Sequence, residues 1–260
     1  MSSNLTPSES KEPKLRIVLV GKTGVGKTAV MNTLLGRPGL TKSSASSQTT
    51  ECTMGIGEFN GQKLVVIDTP GVLNTVRTRD QVKEDIVKCI ASAAPGPHVF
   101  LVVLKPECLT KYDKSVLETI QKIFGKESKK YTLALFTRRD ENEITDEDIQ
   151  ESFVSEYIVG HYSFDNTGKK STNQVAELLK KINNLVENNK GGHYTNDMFK
   201  KAQEIKEQVM GKVEPDSMTV HDIVRDTAMG ILTGTAGPEM ARLVLDFVDF
   251  WVKKVAEHIT

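Results

Sequence analysis

The sequence predicts an α/β fold: a mostly parallel central sheet flanked by helices, with a helical extension at its C-terminal end. Three observations predict it. Gly21-Lys22-Thr23-Gly24-Val25-Gly26-Lys27-Thr28 fits the pattern G-x-x-x-x-G-K-[ST], between a β-rich apolar run at 15–20 and a helical stretch at 29–35. Apolar runs and amphipathic stretches then alternate as far as residue 188, the pattern of strand–helix–strand units around a parallel sheet. After residues 188–192 the alternation stops and helical periodicity takes over.

Composition sets the bounds. A chain of 260 residues, 38% hydrophobic, can bury one large core. Thirty-four basic residues balance 34 acidic ones, so bulk charge gives no reason to expect nucleic acid as a partner. Cys52, Cys89 and Cys108 lack the spacing of a disulfide framework or a zinc site. The expected organisation is a disordered tail over 1–13, a nucleotide-binding domain over 14–192 and a helical extension over 193–260. The polar start lacks the apolar core of a secretory signal, and no run approaches the roughly 18 apolar residues of a membrane span. The expected location is cytoplasmic.

In the glycine-rich motif, Gly21, Thr23, Gly24, Val25 and Gly26 form a loop whose backbone N–H groups can converge on one anion. Ala29, on the following helix, adds the partial positive charge of a helix N-terminus. Lys27 can reach the β- and γ-phosphates, and the Thr28 hydroxyl can ligate Mg²⁺. Residues 37–53 then turn polar and serine- and threonine-rich. They read as a segment sensing the γ-phosphate, with Thr49 or Thr50 as the ligand. Thr49 is taken as the metal and catalytic candidate beside Lys27.

Residues 55–59 and 63–67 predict two strands around an Asn60-Gly61 turn. The second runs into Asp68-Thr69-Pro70-Gly71. A carboxylate ending a buried strand is costly unless paired. Asp68 can hold Mg²⁺ through water, and the Gly71 N–H can bind the γ-phosphate. Next comes Val72, whose side chain cannot orient an attacking water, so hydrolysis is expected to be slow.

Helical spacing covers 79–93 and 114–124, and a continuous apolar run at 98–104 predicts a central parallel strand. His98 receives no functional role. A strand over 131–136 runs into Thr137-Arg138-Arg139-Asp140. Asp140 can accept hydrogen bonds from guanine N1 and N2, Arg138 can stack on the base, and Thr137 can tie this loop to the phosphate loop. Thr145 and Asp148 suggest a capped short helix. A last strand is expected over 157–164, with Asp165-Asn166 as a turn at the base and a helix over 172–186. Thr195 or Asn196 caps the first helix of the extension. An apolar stripe from Met240 to Val255 marks its last.

This order of motifs resembles the GIMAP family, the immunity-associated, septin-like P-loop GTPases. Beyond the three nucleotide motifs, Gly96-Pro97-His98-Val99-Phe100-Leu101-Val102-Val103 is similar to that family's conserved box. Gly191-Gly192-His193-Tyr194-Thr195-Asn196 is similar to the segment entering its C-terminal helices. The resemblance implies a GTPase G domain binding GTP/GDP with Mg²⁺. It implies self-association into a nucleotide-dependent homodimer or oligomer, an immune-cell setting, and association with intracellular membranes in some members. Two positions depart from it. Cys108 stands where the family's box has an arginine, and His161 where its fifth motif has one. His161 is the candidate to stack on guanine in its place. The leading reading is a slow GTP-hydrolysing switch. The runner-up is a GTP-bound scaffold without significant hydrolysis, and an ATP-dependent kinase is disfavoured by Asp140.

Overall fold

The computed structural model describes residues 14–37, 52–71, 93–106, 109–137, 145–165, 171–196, 199–200 and 203. The helix expected over 79–93, except its last residue, and most of the C-terminal extension lie outside these residues.

Six strands form one sheet in the order β2-β3-β1-β4-β5-β6. They are β1 (Leu15–Val20), β2 (Thr53–Phe59), β3 (Gln62–Asp68), β4 (Val99–Leu104), β5 (Thr132–Thr137) and β6 (Gly160–Phe164). All pairings are parallel except the β2–β3 hairpin. The hairpin turns at Asn60 and Gly61, both with positive φ (49° and 81°), the geometry for which Asn-Gly is suited.

Helices cover both faces. They are α1 (Lys27–Leu34), α2 (Lys111–Phe124), α3 (Asp146–Glu151) and α4 (Ser171–Asn188). Alternate residues of each central strand therefore enter different cores. Val18, Phe100, Val102 and Phe136 meet Val116, Leu117, Ile120 and Phe124 of α2. Ile17, Leu19, Leu101 and Leu135 meet Val30 and Leu34 of α1 and Val175, Leu178 and Ile182 of α4. Burial on both faces explains why β1, β4 and β5 read as continuous apolar runs. Each fully buried aliphatic side chain contributes about 1.5–3 kcal/mol over exposure.

Several expected boundaries need correction. Helix α2 starts before residue 114 because Thr110 and Asp113 cap it: the Thr110 N–H donates to Asp113 Oδ2 at 2.9 Å. Strand β5 begins at Thr132, since Tyr131 closes a 3₁₀ helix over Lys126–Tyr131. Strand β6 begins at Gly160, not 157. Tyr157 ends a second 3₁₀ turn, its N–H donating to Val154 O at 3.0 Å. The Thr145–Asp148 capping box on α3 forms as expected. Between the two residues proposed to cap the extension, Asn196 takes the role: its Oδ1 accepts from the Phe199 N–H at 3.1 Å.

The chain enters that extension through the core. Tyr194 and Phe199 are buried against Phe100 and Phe124. The Tyr194 N–H donates to Pro97 O at 2.8 Å, and its hydroxyl donates to Phe124 O. A Cβ on Gly96 would collide with the Tyr194 carbonyl, at a φ of +148°.

Candidate functional site

Strand β1 has β3 on one side and β4 on the other, so chain order reverses there. In open α/β sheets such a switch point leaves a crevice at the strands' C-terminal ends. The glycine-rich loop sits in it, between β1 and α1. Gly21 packs on β4 so closely that a Cβ would lie 2.5 Å from Val103 O. Gly26 is the N-cap of α1, with φ of 101°, no side-chain cap bond and no acidic residue in the first turn. No cap side chain or first-turn carboxylate thus competes with an external anion for this helix end.

Lys27 is buried, and its Nζ donates to Gly21 O at 3.0 Å and Lys22 O at 2.7 Å. The ammonium is held inside the loop that would wrap a phosphate. Burial lowers its pKa to about 8, against an opposing pull from the Asp68 carboxylate.

Asp68 ends β3, fully buried and opposite Leu19 in register. The Thr28 hydroxyl donates to Asp68 Oδ2 at 2.6 Å. These are the two hard oxygen donors expected at Mg²⁺, brought together from positions forty apart in the chain. Among the described residues no group of three His, Cys, Asp or Glu side chains could hold a metal ion. A cation here would depend on Thr28, Asp68, water and the oxygens of a bound phosphate. Thr69 anchors the turn after Asp68, its hydroxyl donating to Leu19 O at 2.8 Å. Gly71 then lies directly against Thr23, where any Cβ would strike the Thr23 side chain and backbone.

On the other flank, the Thr137 hydroxyl is buried at the end of β5. It donates to Val25 O at 2.6 Å, with Leu104 O 3.3 Å away as a second acceptor. This ties the end of β5 to the phosphate loop. Gln174 of α4 clamps the turn after β6: its Oε1 accepts from the Asp165 N–H at 2.9 Å and its Nε2 donates to Asp165 O at 2.7 Å.

Gly21, Thr23, Gly24, Val25, Gly26, Lys27, Thr28, Ala29, Asp68, Gly71 and Thr137 therefore share one end of the sheet. Thr49, Thr50, Val72, Cys108, Arg138, Asp140 and Asn166 lie outside the described residues. His161 is a correction. It pairs with Ala134 in the β5–β6 register, three positions before Thr137 meets Phe164. Its Nε2 is 3.0 Å from Asp146 Oδ1, and its ring packs edge-on to Phe136. Those contacts turn it to α3, away from a base at the strand ends.

Two features escaped the sequence reading. Lys22 Nζ donates to Thr110 Oγ1 at 2.8 Å and pairs with Asp113 at 2.5 Å, fixing the loop to α2. Gln174 is the other; an amide in an amphipathic helix carries no local signal of its turn-clamping part. His98 proves structural: its ring Nδ1 accepts from the Arg16 main-chain N–H at 2.9 Å, and its main-chain N–H donates to Arg16 O at 2.9 Å.

Lys27 yields a prediction. Phosphates favour the charged ammonium, whereas burial lowers its pKa to about 8 without them. Above that pH, phosphate binding has to recapture a proton. Affinity for a phosphate-bearing ligand should fall by up to about tenfold per pH unit above pH 8. Calorimetry near pH 8.5, in two buffers of different ionisation enthalpy, should detect uptake of most of one proton per ligand bound. A flat affinity with no proton uptake would disprove this.

Known proteins share this fold and this sequence pattern. Toc33 from Arabidopsis thaliana in complex with Mg²⁺ and GMPPNP superposes with a TM-score of 0.52. It is 21% identical over 67% of this chain and 85% of that one. Toc33 with GDP and Mg²⁺ gives 0.51 at 20% identity, over 68% and 86%. At that identity the likeness establishes the fold alone, a mostly parallel six-stranded sheet flanked by helices. Immune-associated nucleotide-binding protein 9 of Arabidopsis thaliana is 31% identical over 76% of this chain. Human GTPase IMAP family member 8 is 30% identical over 70% of it. The chain spans 62% of the length of the first and 29% of the second. The sequence profile of the AIG1 family matches residues 15–213, so this chain, with its phosphate-type loop at the sheet's switch point, belongs to the AIG1 family.

Proposed function

We propose that this chain is a guanine-nucleotide-binding switch that takes GTP or GDP with Mg²⁺, self-associates in its GTP state and hydrolyses GTP slowly. The observation that carries the reading is the Thr28 hydroxyl on the Asp68 carboxylate at 2.6 Å, beside the buried Lys27 ammonium. Thr28 and Asp68 fit Mg²⁺, which when bound offsets the charge on the phosphate oxygens. Lys27 holds the β- and γ-phosphates, and the α1 N-terminus with the loop amides cradles them. The N–H of Gly71, which packs against Thr23 of the loop, reports a γ-phosphate. The Thr137 bond to Val25 O joins the end of β5, from which the Asp140 segment continues, to the phosphate loop. Asp140 in that loop selects guanine.

Self-association draws support from Toc33, for which dimerisation is important for GTPase activity. Immune function has support from the relatives' names alone. Slow turnover rests on Val72 and Cys108, neither of which can orient water or stabilise transferring phosphate as glutamine and arginine do. Single-turnover hydrolysis at about 10 s⁻¹ or faster would contradict that part.

Nucleotide binding by the wild type and by Asp140→Asn tests the core of the reading. The variant loses charge-assisted bonds to N1 and N2, so GDP affinity should fall about a hundredfold while XDP affinity falls less. Tighter binding of ATP than of GTP by the wild type would overturn the proposal.

A further inference from the structure

We infer that Lys22 and Asp113 form a joint that passes nucleotide occupancy from the phosphate loop into α2, and along it to the root of the C-terminal segment. The inference rests on the guanine-nucleotide reading of the site. It starts from one crowded atom. Asp113 Oδ2 receives three donors: the Thr110 N–H at 2.9 Å, the Thr110 hydroxyl at 3.0 Å and Lys22 Nζ at 2.5 Å. Lys22 Nζ closes the triangle on Thr110 Oγ1 at 2.8 Å. The Asp113 side chain is 3% exposed and that of Lys22 22%, so this pair is shielded from solvent in a way surface ion pairs are not.

The same carboxylate therefore does two jobs. It caps α2 and it fastens the helix to the phosphate loop. Lys22 is also where the loop meets Lys27, since the Lys22 carbonyl accepts from Lys27 Nζ at 2.7 Å. A bound phosphate draws that ammonium toward its own oxygens and relieves the Lys22 carbonyl of its donor. The peptide that changes partner is thus the one whose side chain holds the cap of α2.

The other end of α2 is equally fixed. Its fourteen residues run about 21 Å at 1.5 Å per residue. At its last residue, Phe124 O accepts from the Tyr194 hydroxyl, and the Phe124 ring packs on Tyr194 and Phe199. A helix capped at the phosphate loop and bonded to Tyr194 is a strut between the two. Lys22 is a positioning residue in this scheme and touches no nucleotide.

Hydrogen exchange tests this on the full chain without nucleotide, with GDP, and with a non-hydrolysable GTP analogue, alongside binding affinities. In the wild type, amides at 109–115 and 193–200 should change exchange rate by about tenfold on nucleotide binding, the scale of one charge-assisted bond. Lys22→Met should bind nucleotide within about threefold of wild type yet lose most of that response. Lys22→Arg should keep it. Asp113→Asn should match Lys22→Met, and the double variant should lose no more than either alone. A wild type that binds guanine nucleotide without a change at both segments overturns the joint, as does a full response in Lys22→Met. Loss of nucleotide binding in Lys22→Met also overturns it, by making Lys22 a ligand-binding residue. A wild type that binds no guanine nucleotide overturns the functional reading itself, and the joint with it.

Discussion

Tyr194→Ala is expected to lower the free energy of unfolding by about 3–5 kcal/mol, the cost of truncating a buried aromatic side chain. Tyr194 is 5% exposed and lies edge-on to Phe100, Phe124, Tyr131 and Phe199. Removing the ring opens a cavity between β4, the end of α2 and the start of the extension. Rigid strand and helix backbones on three sides limit how far it can collapse. The hydroxyl is a smaller contribution. Tyr194→Phe leaves Phe124 O without its donor and should cost about 1 kcal/mol. Urea unfolding of the three proteins, followed by far-UV circular dichroism, measures both differences. A loss below about 1 kcal/mol for Tyr194→Ala would show that the residue is peripheral to the fold.

This residue also shows where sequence reading stops. The phosphate loop, the carboxylate ending β3 and the Asn60-Gly61 hairpin were all legible because each is a local pattern with a geometric cause. Strands β1, β4 and β5 were legible as apolar runs because both faces of the sheet are covered. Tyr194 was placed in a helical extension, since nothing local says that its ring crosses to Phe100 and its N–H to Pro97 O. The Lys22–Asp113 pair spans a comparable gap, and charge alone does not say which of the many acids a lysine will find. Other misses were avoidable. Thr110-Lys111-Tyr112-Asp113 is a readable cap that starts α2 earlier than its apolar stripe does. Tyr157-Ile158-Val159 is rich in strand formers, yet Ser152 accepts from the Val154 N–H at 3.3 Å and begins a 3₁₀ turn there. Local side-chain bonding outweighed propensity. His161 failed for a different reason. Its chemistry suits base stacking, but strand alternation fixes which face it takes, and that face carries Asp146 of α3.

His98 gives the other large effect, an acid destabilisation. Burial, then the neighbouring Arg16 guanidinium and His193 imidazole, lowers its pKa from 6.5 to about 3. The neutral form is required, because Nδ1 accepts from the Arg16 N–H. The Arg16 side chain is also fixed in place, its Nε donating to Gly96 O at 2.5 Å, and the His193 ring centroid lies 5.8 Å away. Protonation would put a second cation beside that guanidinium and break the bond joining the starts of β1 and β4. The sign follows from proton counting. Below pH 6.5 the unfolded chain protonates this imidazole and the folded chain does not, so stability is complete above that pH and falls as pH drops toward 3. The full slope is about 1.4 kcal/mol per pH unit; discounted for residual solvent screening, about 2 kcal/mol should be lost between pH 6.5 and 4.5. His193 is lowered in the same direction, by burial and then by Arg16, so each histidine needs its own control. His98→Asn offers an acceptor to the Arg16 N–H but does not titrate. Its stability should fall less than that of the wild type across this window, by about the same 2 kcal/mol, whereas His193→Asn should leave the His98 component in place. Carboxylate titration is common to all three proteins and cancels in the differences. Parallel stability curves for wild type and His98→Asn would refute the assignment. Strands β1 and β4, which this bond joins, lead into Gly21 and to the Val103 carbonyl on which Gly21 rests.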